Sequence, residues 1–509
     1  MISQIEIYNF RSIKELVLTP DSLNAIIGPN STGKTNVLKA LDLVLGEGWT
    51  TKAKVARELF NDPGQEVKII VSFSSPVSVD TNRGGQKEIN SIELTMALTP
   101  EFTAKTTCND GQTFYEQAAF KKLCHFVYIP SERNLVQEMR VSQWTMLGKM
   151  MRAIYENYVQ HYGDDEKLKG DFAEAMEPAK TFLEADFSEA DLTFKKFSET
   201  FIKNCKKNSV GLANDFEPSL DIYNLNWFYK TLQIHVKEKG NDLSFDSEEV
   251  GSGMKNLLML SIFQTYSELV GDKVIFGIEE PEIYLYPHAQ RALYKNLISL
   301  SETSQIFYTT HNPNFVSAAR PQDVIILRKD VEEGTYFLEK SPLFSKETAE
   351  SYWHKIYTNF NNERNEIFFS NKVILVEGAS DKVLLETLCS EKWDVDLDEC
   401  GYSIVECGGK NGVKYFVGVA KLIGLDDYYA VWDQDEEVLH ADDLLKEVLD
   451  NEKGFEFLPD MESALGIEKG SGDEKVLRAH EWASSINVAD IPALFSGVKI
   501  FLSENENEE

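Results

Sequence analysis

Asn24-Ala-Ile-Ile-Gly28-Pro-Asn30-Ser31-Thr32-Gly33-Lys34-Thr35-Asn36 is a short apolar run followed by GxxxxGK[ST], and VLKALDLVL after it is apolar at helical spacing. Strand, glycine loop and helix in this order form a phosphate-binding unit. The spacing lets successive backbone N–H groups wrap phosphate oxygens, while Lys34 neutralises β and γ charge and Thr35 holds a magnesium ion. The helix that begins there adds the positive end of its dipole. Asn30, Ser31, Thr32, Gly33, Lys34, Thr35 and Asn36 are therefore the expected nucleotide contacts. Upstream, IEIYNFRSIKELVL supplies another strand.

A phosphate loop of this kind needs an apolar strand ending in carboxylates, and Val274-Ile-Phe-Gly-Ile278 followed by Glu279-Glu280-Pro281-Glu282 meets that need. Glu279 is expected to bind magnesium and Glu280 to orient or deprotonate the attacking water. Gly251-Ser252-Gly253-Met254-Lys255 opens a helix before that strand, and His311 lies in YTTHNP after the next one. With these pieces the chain resembles the ABC-type ATPases. The resemblance implies that Ser252 and Gly253 cap the γ-phosphate of ATP bound by a second protomer, and that His311 contacts the same phosphate. A homodimer or higher homo-oligomer follows from it. NFRS and EEPE further resemble the branch containing RecF and the SMC proteins. Too few residues separate Gly33 from Gly251 for an SMC arm, and no long coiled coil is present. Gln65 is the candidate for the glutamine loop of that class.

Around these motifs, short alternating runs between about 66 and 130 predict a β-rich region, with TNRGGQKE as a hairpin connection. Helical patterning follows from about 141 to 225, and the lysine-rich stretch 192–210 is either a DNA-facing patch or a solvated helix face. Strands and helices then alternate, which implies a largely parallel sheet. The expected organisation is an ATPase in two parts, 1–140 and 226–345, split by a helical and dimerising insertion at 141–225. A linker at 346–368 leads to a second domain at 369–509.

That second domain opens with Val373-Ile-Leu-Val-Glu377-Gly378-Ala-Ser-Asp381, which puts Glu377 at a strand end and Asp381 one turn into a helix. Tyr428-Tyr-Ala-Val-Trp432 then ends in Asp433-Gln-Asp435, and Asp460-Met-Glu462 adds further acid. Carboxylates about 4 Å apart repel by roughly 4 kcal/mol per pair at an effective dielectric of 20. Glu377, Asp381, Asp433, Asp435 and Glu462 are thus expected to converge on divalent cations, magnesium or manganese. The set resembles a Toprim domain, the metal-binding module of topoisomerases, DnaG-type primases and certain nucleases. It implies a late lysine near the scissile phosphate, for which Lys475 is the choice and Lys469 the alternative.

The chain has 51 Lys+Arg against 83 Asp+Glu, a formal net charge of −32. Residues 371–509 carry 12 of the former and 32 of the latter. So acidic a surface repels nucleic acid unless bound cations reverse the field locally. No apolar run is long enough to span a membrane, and the six cysteines include no CxxC pair, so a cytoplasmic chain with free thiols is expected.

An ABC-type ATPase followed by a Toprim domain resembles the OLD family of ATP-dependent endonucleases, through GPNSTGKTN, GSGMK, IEEPE, TTHNP, VEGASD, DQD and PDMES. Tyr286 stands where that family commonly has histidine, and Met254-Lys255 is an unusual signature. The resemblance implies an α/β multidomain fold: a mixed sheet with a helical insertion, then a Rossmann-like Toprim domain. It also implies ATP and magnesium or manganese as cofactors, DNA as substrate, anti-phage defence of the Gabija or retron kind as the setting, and an operon-encoded partner. Expected activities are ATP hydrolysis and metal-dependent DNA nicking. The alternative is an ATP-gated DNA-binding or assembly protein whose Toprim platform is catalytically silent.

Overall fold

The computed structural model describes residues 1–46, 57–81, 85–99, 101–109, 111–124, 126–131, 145–163, 165–184, 196, 198–203, 234–237, 244–246, 249–270, 274–317, 320–330, 332–338, 364–434 and 443–503. Residue contacts group the chain into two compact units, 1–131 with 272–509, and 132–271.

The first unit contains a mixed sheet of 12 strands. In chain order these are Ile2–Phe10 (β1), Ile13–Leu18 (β2), Leu23–Ile27 (β3), Val67–Asp80 (β4), Gln86–Ala97 (β5), Thr103–Cys108 (β6), Gln112–Thr113 (β7) and Phe126–Ile129 (β8). His235–Lys237 (β9) and Ser244–Asp246 (β10) pair separately in the second unit. Ile275–Glu279 (β11), Gln305–Thr309 (β12), Val324–Asp330 (β13) and Gly334–Phe337 (β14) complete the large sheet, in the order β7-β6-β5-β4-β1-β2-β14-β13-β3-β12-β11-β8.

Its two halves differ as their side-chain patterns require. β3, β11 and β12 are mostly apolar and buried at every position. Such strands fit only a parallel sheet covered on both faces, and β13, β3, β12, β11 and β8 are parallel neighbours. β4 and β5 instead alternate buried and partly exposed residues and pair antiparallel from Val67↔Met96 to Asp80↔Gln86. The expected hairpin is therefore present. The opening stretch, expected as one strand, is a tight antiparallel pair: Asn9 and Arg11 have φ of 55° and 53° and turn β1 back onto β2.

The helix Lys34–Leu45 (α1) packs Val37, Leu38, Leu41 and Val44 into the sheet core. In the second unit, Met146–Tyr162 (α2) and Asp165–Glu184 (α3) fall within the helically patterned stretch 141–225, and Ser252–Val270 (α4) starts at Ser252. Most of the 192–210 lysine stretch lies outside the described residues.

The first unit continues through Pro287–Leu300 (α5) and a 3-10 turn at Arg364–Phe368 to a parallel sheet of four strands. These are Lys372–Val376 (β15), Tyr402–Glu406 (β16), Tyr428–Asp433 (β17) and Gly454–Phe457 (β18), in the order β16-β15-β17-β18. Ala379–Leu388 (α6), Lys410–Leu422 (α7), Asp443–Asp450 (α8), Met461–Leu465 (α9), Asp473–Ser485 (α10) and Ser496–Ser503 (α11) surround it. The last five residues of the expected linker are structured, with Ile367 and Phe368 at 0% exposure. Strand order reverses between β15 and β17, so a crevice opens at the carboxyl ends of those two strands, as open α/β sheets provide for ligands.

Candidate functional site

Two sets of side chains stand at the carboxyl ends of parallel strands. At the first, the loop after β3 takes a conformation that only glycine fits. Gly33 has φ of 97°, and a Cβ there would lie 2.7 Å from Ser12 Oγ and 2.8 Å from Thr335 Oγ1. Asn30 and Ser31 are exposed, Thr32 and Lys34 are buried, and Thr35 and Asn36 lie half-buried on the first turn of α1. Lys34 Nζ donates to the carbonyls of Gly28 (2.9 Å) and Pro29 (2.7 Å). Burial lowers its pKa to about 8, against the opposing charge of Glu280. Asn36 Nδ2 donates to Ser12 Oγ at 2.9 Å, tying the loop to the β1–β2 turn.

β11 ends beside this loop. Glu279 is 5% exposed, and its carboxylate accepts from Tyr128 Oη (2.6 Å) and the Ser131 N–H (2.9 Å) at the end of β8. The Gln65 side chain donates to Asp62 Oδ2 at 3.0 Å. Glu280 has φ of 41°, and its N–H donates to Thr309 O at 3.0 Å. His311 feels both Lys34 and Glu280: desolvation and then the Lys34 charge lower its pKa, while Glu280 raises it. Ser252 is exposed and Gly253 half-buried at the start of α4 in the second unit.

Glu282 was not singled out in the sequence, yet it braces the histidine loop. It is 9% exposed; Oε1 accepts from Thr310 Oγ1 (2.5 Å) and the His311 N–H (3.3 Å). Only its place in the EEPE string could have signalled it, because its partner lies on a separate strand end.

The second set flanks the β15–β17 crevice. Glu377 Oε2 accepts the Asp433 N–H at 2.9 Å, and Asp433 Oδ1 accepts the Met461 N–H at 2.9 Å. Asp381, 4% exposed, accepts the Gly378 N–H through Oδ2 at 3.0 Å, while its buried Oδ1 has no hydrogen-bond partner among the described residues. Lys475 Nζ lies 2.9 Å from Glu462 and 3.6 Å from Asp433. Lys469 pairs with Asp460 at 2.7 Å instead. Of the expected set, Asp435 lies outside the described residues.

Burial and the neighbouring Asp433 raise the Asp381 pKa to about 7. Burial raises that of Asp433 to about 6, partly offset by Lys475. Among the described residues no three acidic or imidazole side chains close into a finished metal cage. Each carboxylate is instead braced on one side by backbone N–H or Lys475, and the orphaned Asp381 Oδ1 is the kind of hard oxygen donor a divalent cation takes. The residues fit such an ion.

A family model described as "AAA ATPase domain" matches residues 1–114 and 86–316, and one described as "Overcoming lysogenization defect protein-like, TOPRIM domain" matches 368–435. The chain belongs to the AAA ATPase domain family and carries an OLD-like TOPRIM domain after it. Its relatives include the OLD nuclease of Thermus scotoductus, 26% identical over 97% of this chain and 96% of that protein. The Old nuclease of Escherichia phage P2 is 22% identical over 83% and 75%, and endonuclease GajA of Bacillus cereus is 23% identical over 80% and 70%. Tyr286 is 66% exposed.

Proposed function

We propose that the chain is an ATP-hydrolysing, divalent-metal-dependent DNA endonuclease that nicks at the Toprim crevice, with access gated by an ATPase dimer. The observation that carries this reading is the convergence of Glu377, Asp381, Asp433, Glu462 and Lys475 on one strand-order reversal. Bound there, magnesium or manganese would activate a water and stabilise the leaving oxygen of a phosphodiester. Glu377, Asp381, Asp433, Glu462 and the adjoining Asp435 would hold it. Lys475, already drawn to Asp433 and Glu462, places a positive charge where a phosphate would approach.

In the ATPase part, the phosphate loop would hold ATP, with Thr35 and Glu279 on its magnesium. Glu280 would act as general base, His311 would meet the γ-phosphate, and Ser252 and Gly253 would serve the partner's nucleotide. A defence setting with an operon-encoded partner belongs to this proposal, supported by likeness to the OLD family. Among the described residues no helix is long and apolar enough to cross a membrane, and a cytoplasmic location is proposed.

Supercoiled-plasmid cleavage with magnesium or manganese, with and without ATP, tests the whole reading. Metal-dependent nicking that changes with ATP and loses that response in Lys34→Ala is expected. Cleavage absent under every metal and nucleotide condition would instead favour a silent Toprim platform.

Glu282 carries a separate expectation. Its carboxylate fixes the loop bearing His311, and hydrogen bonds to charged groups contribute about 1.5–3 kcal/mol, so Glu282→Ala should slow ATP turnover by roughly 10- to 100-fold. KM for ATP should hardly change, because no phosphate contact is removed. An unchanged turnover number would show that His311 does not depend on this brace.

A further inference from the structure

The ATPase and Toprim parts of the first unit meet through two 3-10 turns. The loop after β12 runs from Thr310 and His311 into the turn Pro313–Phe315. Asn312 Oδ1 accepts the Asn314 N–H at 2.9 Å, and both asparagine amides donate to Gln290 Oε1 on α5, at 2.9 and 3.0 Å. With Thr310 held by Glu282, the loop is pinned at both ends to the segment that follows Glu280.

Asn365 lies against the far side of that loop. It is 7% exposed, and its Nδ2 donates to Pro313 O at 2.9 Å and to Val316 O at 3.0 Å. Phe315, Ile367 and Phe368 around it are all at 0% exposure, so the two turns are wedged by packing as well as bonded. Arg328 Nη2 adds a second tie, donating to Ser370 O at 2.7 Å just before β15.

From Asn365 the path to the Glu377 backbone runs through Arg364 and the Gly408–Gly409 turn. The neighbouring Arg364 guanidinium lies against Gly408, where a Cβ would come within 2.9 Å of its Nη2. Gly408 sits at φ of 74° and precedes Gly409, whose N–H donates to the Glu377 carbonyl at 2.8 Å. The Cys407 N–H likewise donates to Val376 O at 2.8 Å. The β16–α7 turn therefore rests on Arg364 on one side and on the Glu377 backbone on the other.

We infer that Asn365 is the positioning residue through which nucleotide state at His311 reaches the Toprim carboxylates, with Arg364 and the Gly408–Gly409 turn as the next link. The inference rests on the proposed gating of cleavage by the ATPase. A shift of the histidine loop has two outcomes at Asn365. Either Asn365 moves with Pro313 and Val316, or a buried amide and two carbonyls lose their partners. The first is favoured by the cost of the second, and it displaces Arg364 against a glycine turn bonded to Glu377.

The test uses the full-length Asn365→Ala and Arg364→Ala proteins, neither residue touching phosphate or metal ligands. Plasmid cutting in manganese is measured with and without ATP, together with ATP hydrolysis and circular dichroism. Hydrogen exchange over 374–381 and 402–413 is followed with and without a non-hydrolysable ATP analogue. In both variants ATP hydrolysis and nucleotide-free cutting should persist. The nucleotide-induced change in cutting, 5- to 150-fold for ordinary allosteric coupling, should collapse to within about twofold of unity. The exchange response should vanish with it.

Folded variants that keep the full nucleotide response would overturn the inference. If Asn365→Ala does not fold, Arg364→Ala decides by the same readouts. Should wild-type cutting ignore ATP while exchange at 402–413 responds and Asn365→Ala abolishes that response, the coupling stands and the gating proposal falls. If neither wild-type quantity responds to nucleotide, both fall.

Discussion

Asp433→Asn is expected to reduce metal-dependent DNA cutting by well over 100-fold, because even the outer partners of metal ligands are worth 10- to 100-fold in affinity or activity. ATP hydrolysis should stay near the wild-type level. The substitution suits the site sterically: an asparagine Oδ1 can still accept the Met461 N–H that Asp433 now takes at 2.9 Å, and β17 is otherwise buried in apolar packing. Loss of cutting with an unchanged fold would place the chemistry in the crevice. Cutting retained within tenfold would remove Asp433 from it.

The same variant has a stability signature of opposite sign. In the metal-free protein Asp433 and Asp381 have pKa values raised from 3.8 to about 6 and about 7. Groups raised in this way bind protons more tightly in the folded state than in the unfolded one. Their contribution is fully present below about pH 4 and is lost as pH rises through about 6 to 7. Asp433→Asn removes one of the repelling charges, so its metal-free melting temperature at pH 8 should exceed that of the wild type. The difference should shrink toward pH 5. Manganese should reverse the order by stabilising the wild type, since a ligand that binds only the folded state raises stability by mass action. Thermal unfolding with and without chelator reads all three.

Local patterns carried most of this architecture. Gly28 to Asn36, Ile275 to Glu282, Val373 to Asp381 and Tyr428 to Asp433 each combine a continuous apolar strand with chemistry at its carboxyl end. That coincidence is short-range and survives in a single sequence. Bracing interactions are different. Tyr128 and Ser131 reach Glu279 across about 150 residues, Thr310 reaches Glu282 between two strand ends, and Asn365 reaches Pro313 across a domain junction. Nothing in the local pattern of a tyrosine on a strand or an asparagine before IFF marks such a partner. What separates the surroundings of Lys475 from those of Lys469 is equally non-local. It depends on how α10 packs against α6, which sets Lys475 beside Asp433 and leaves Lys469 to Asp460.

Glu280→Gln should separate nucleotide binding from hydrolysis. Glu280 sits at a left-handed backbone position that costs a non-glycine residue energy, and its N–H is held by Thr309 O at 3.0 Å and by Thr309 Oγ1 at 3.3 Å. A glutamine keeps that backbone and the volume while removing the proposed base, so ATP turnover should fall by about 100- to 10,000-fold with binding intact. Lys34→Ala differs because it removes the ammonium proposed to meet the phosphates, so binding is expected to fail with it. Plasmid cutting in the two variants then tells the two uses of ATP apart. If Glu280→Gln with ATP cuts like the wild type with ATP, whereas Lys34→Ala cuts like the nucleotide-free protein, occupancy alone sets the Toprim crevice. If both variants cut like the nucleotide-free protein, the crevice answers to turnover, and the His311 loop must cycle for each round of access. Turnover within tenfold of wild type in Glu280→Gln would mean that another group activates the water.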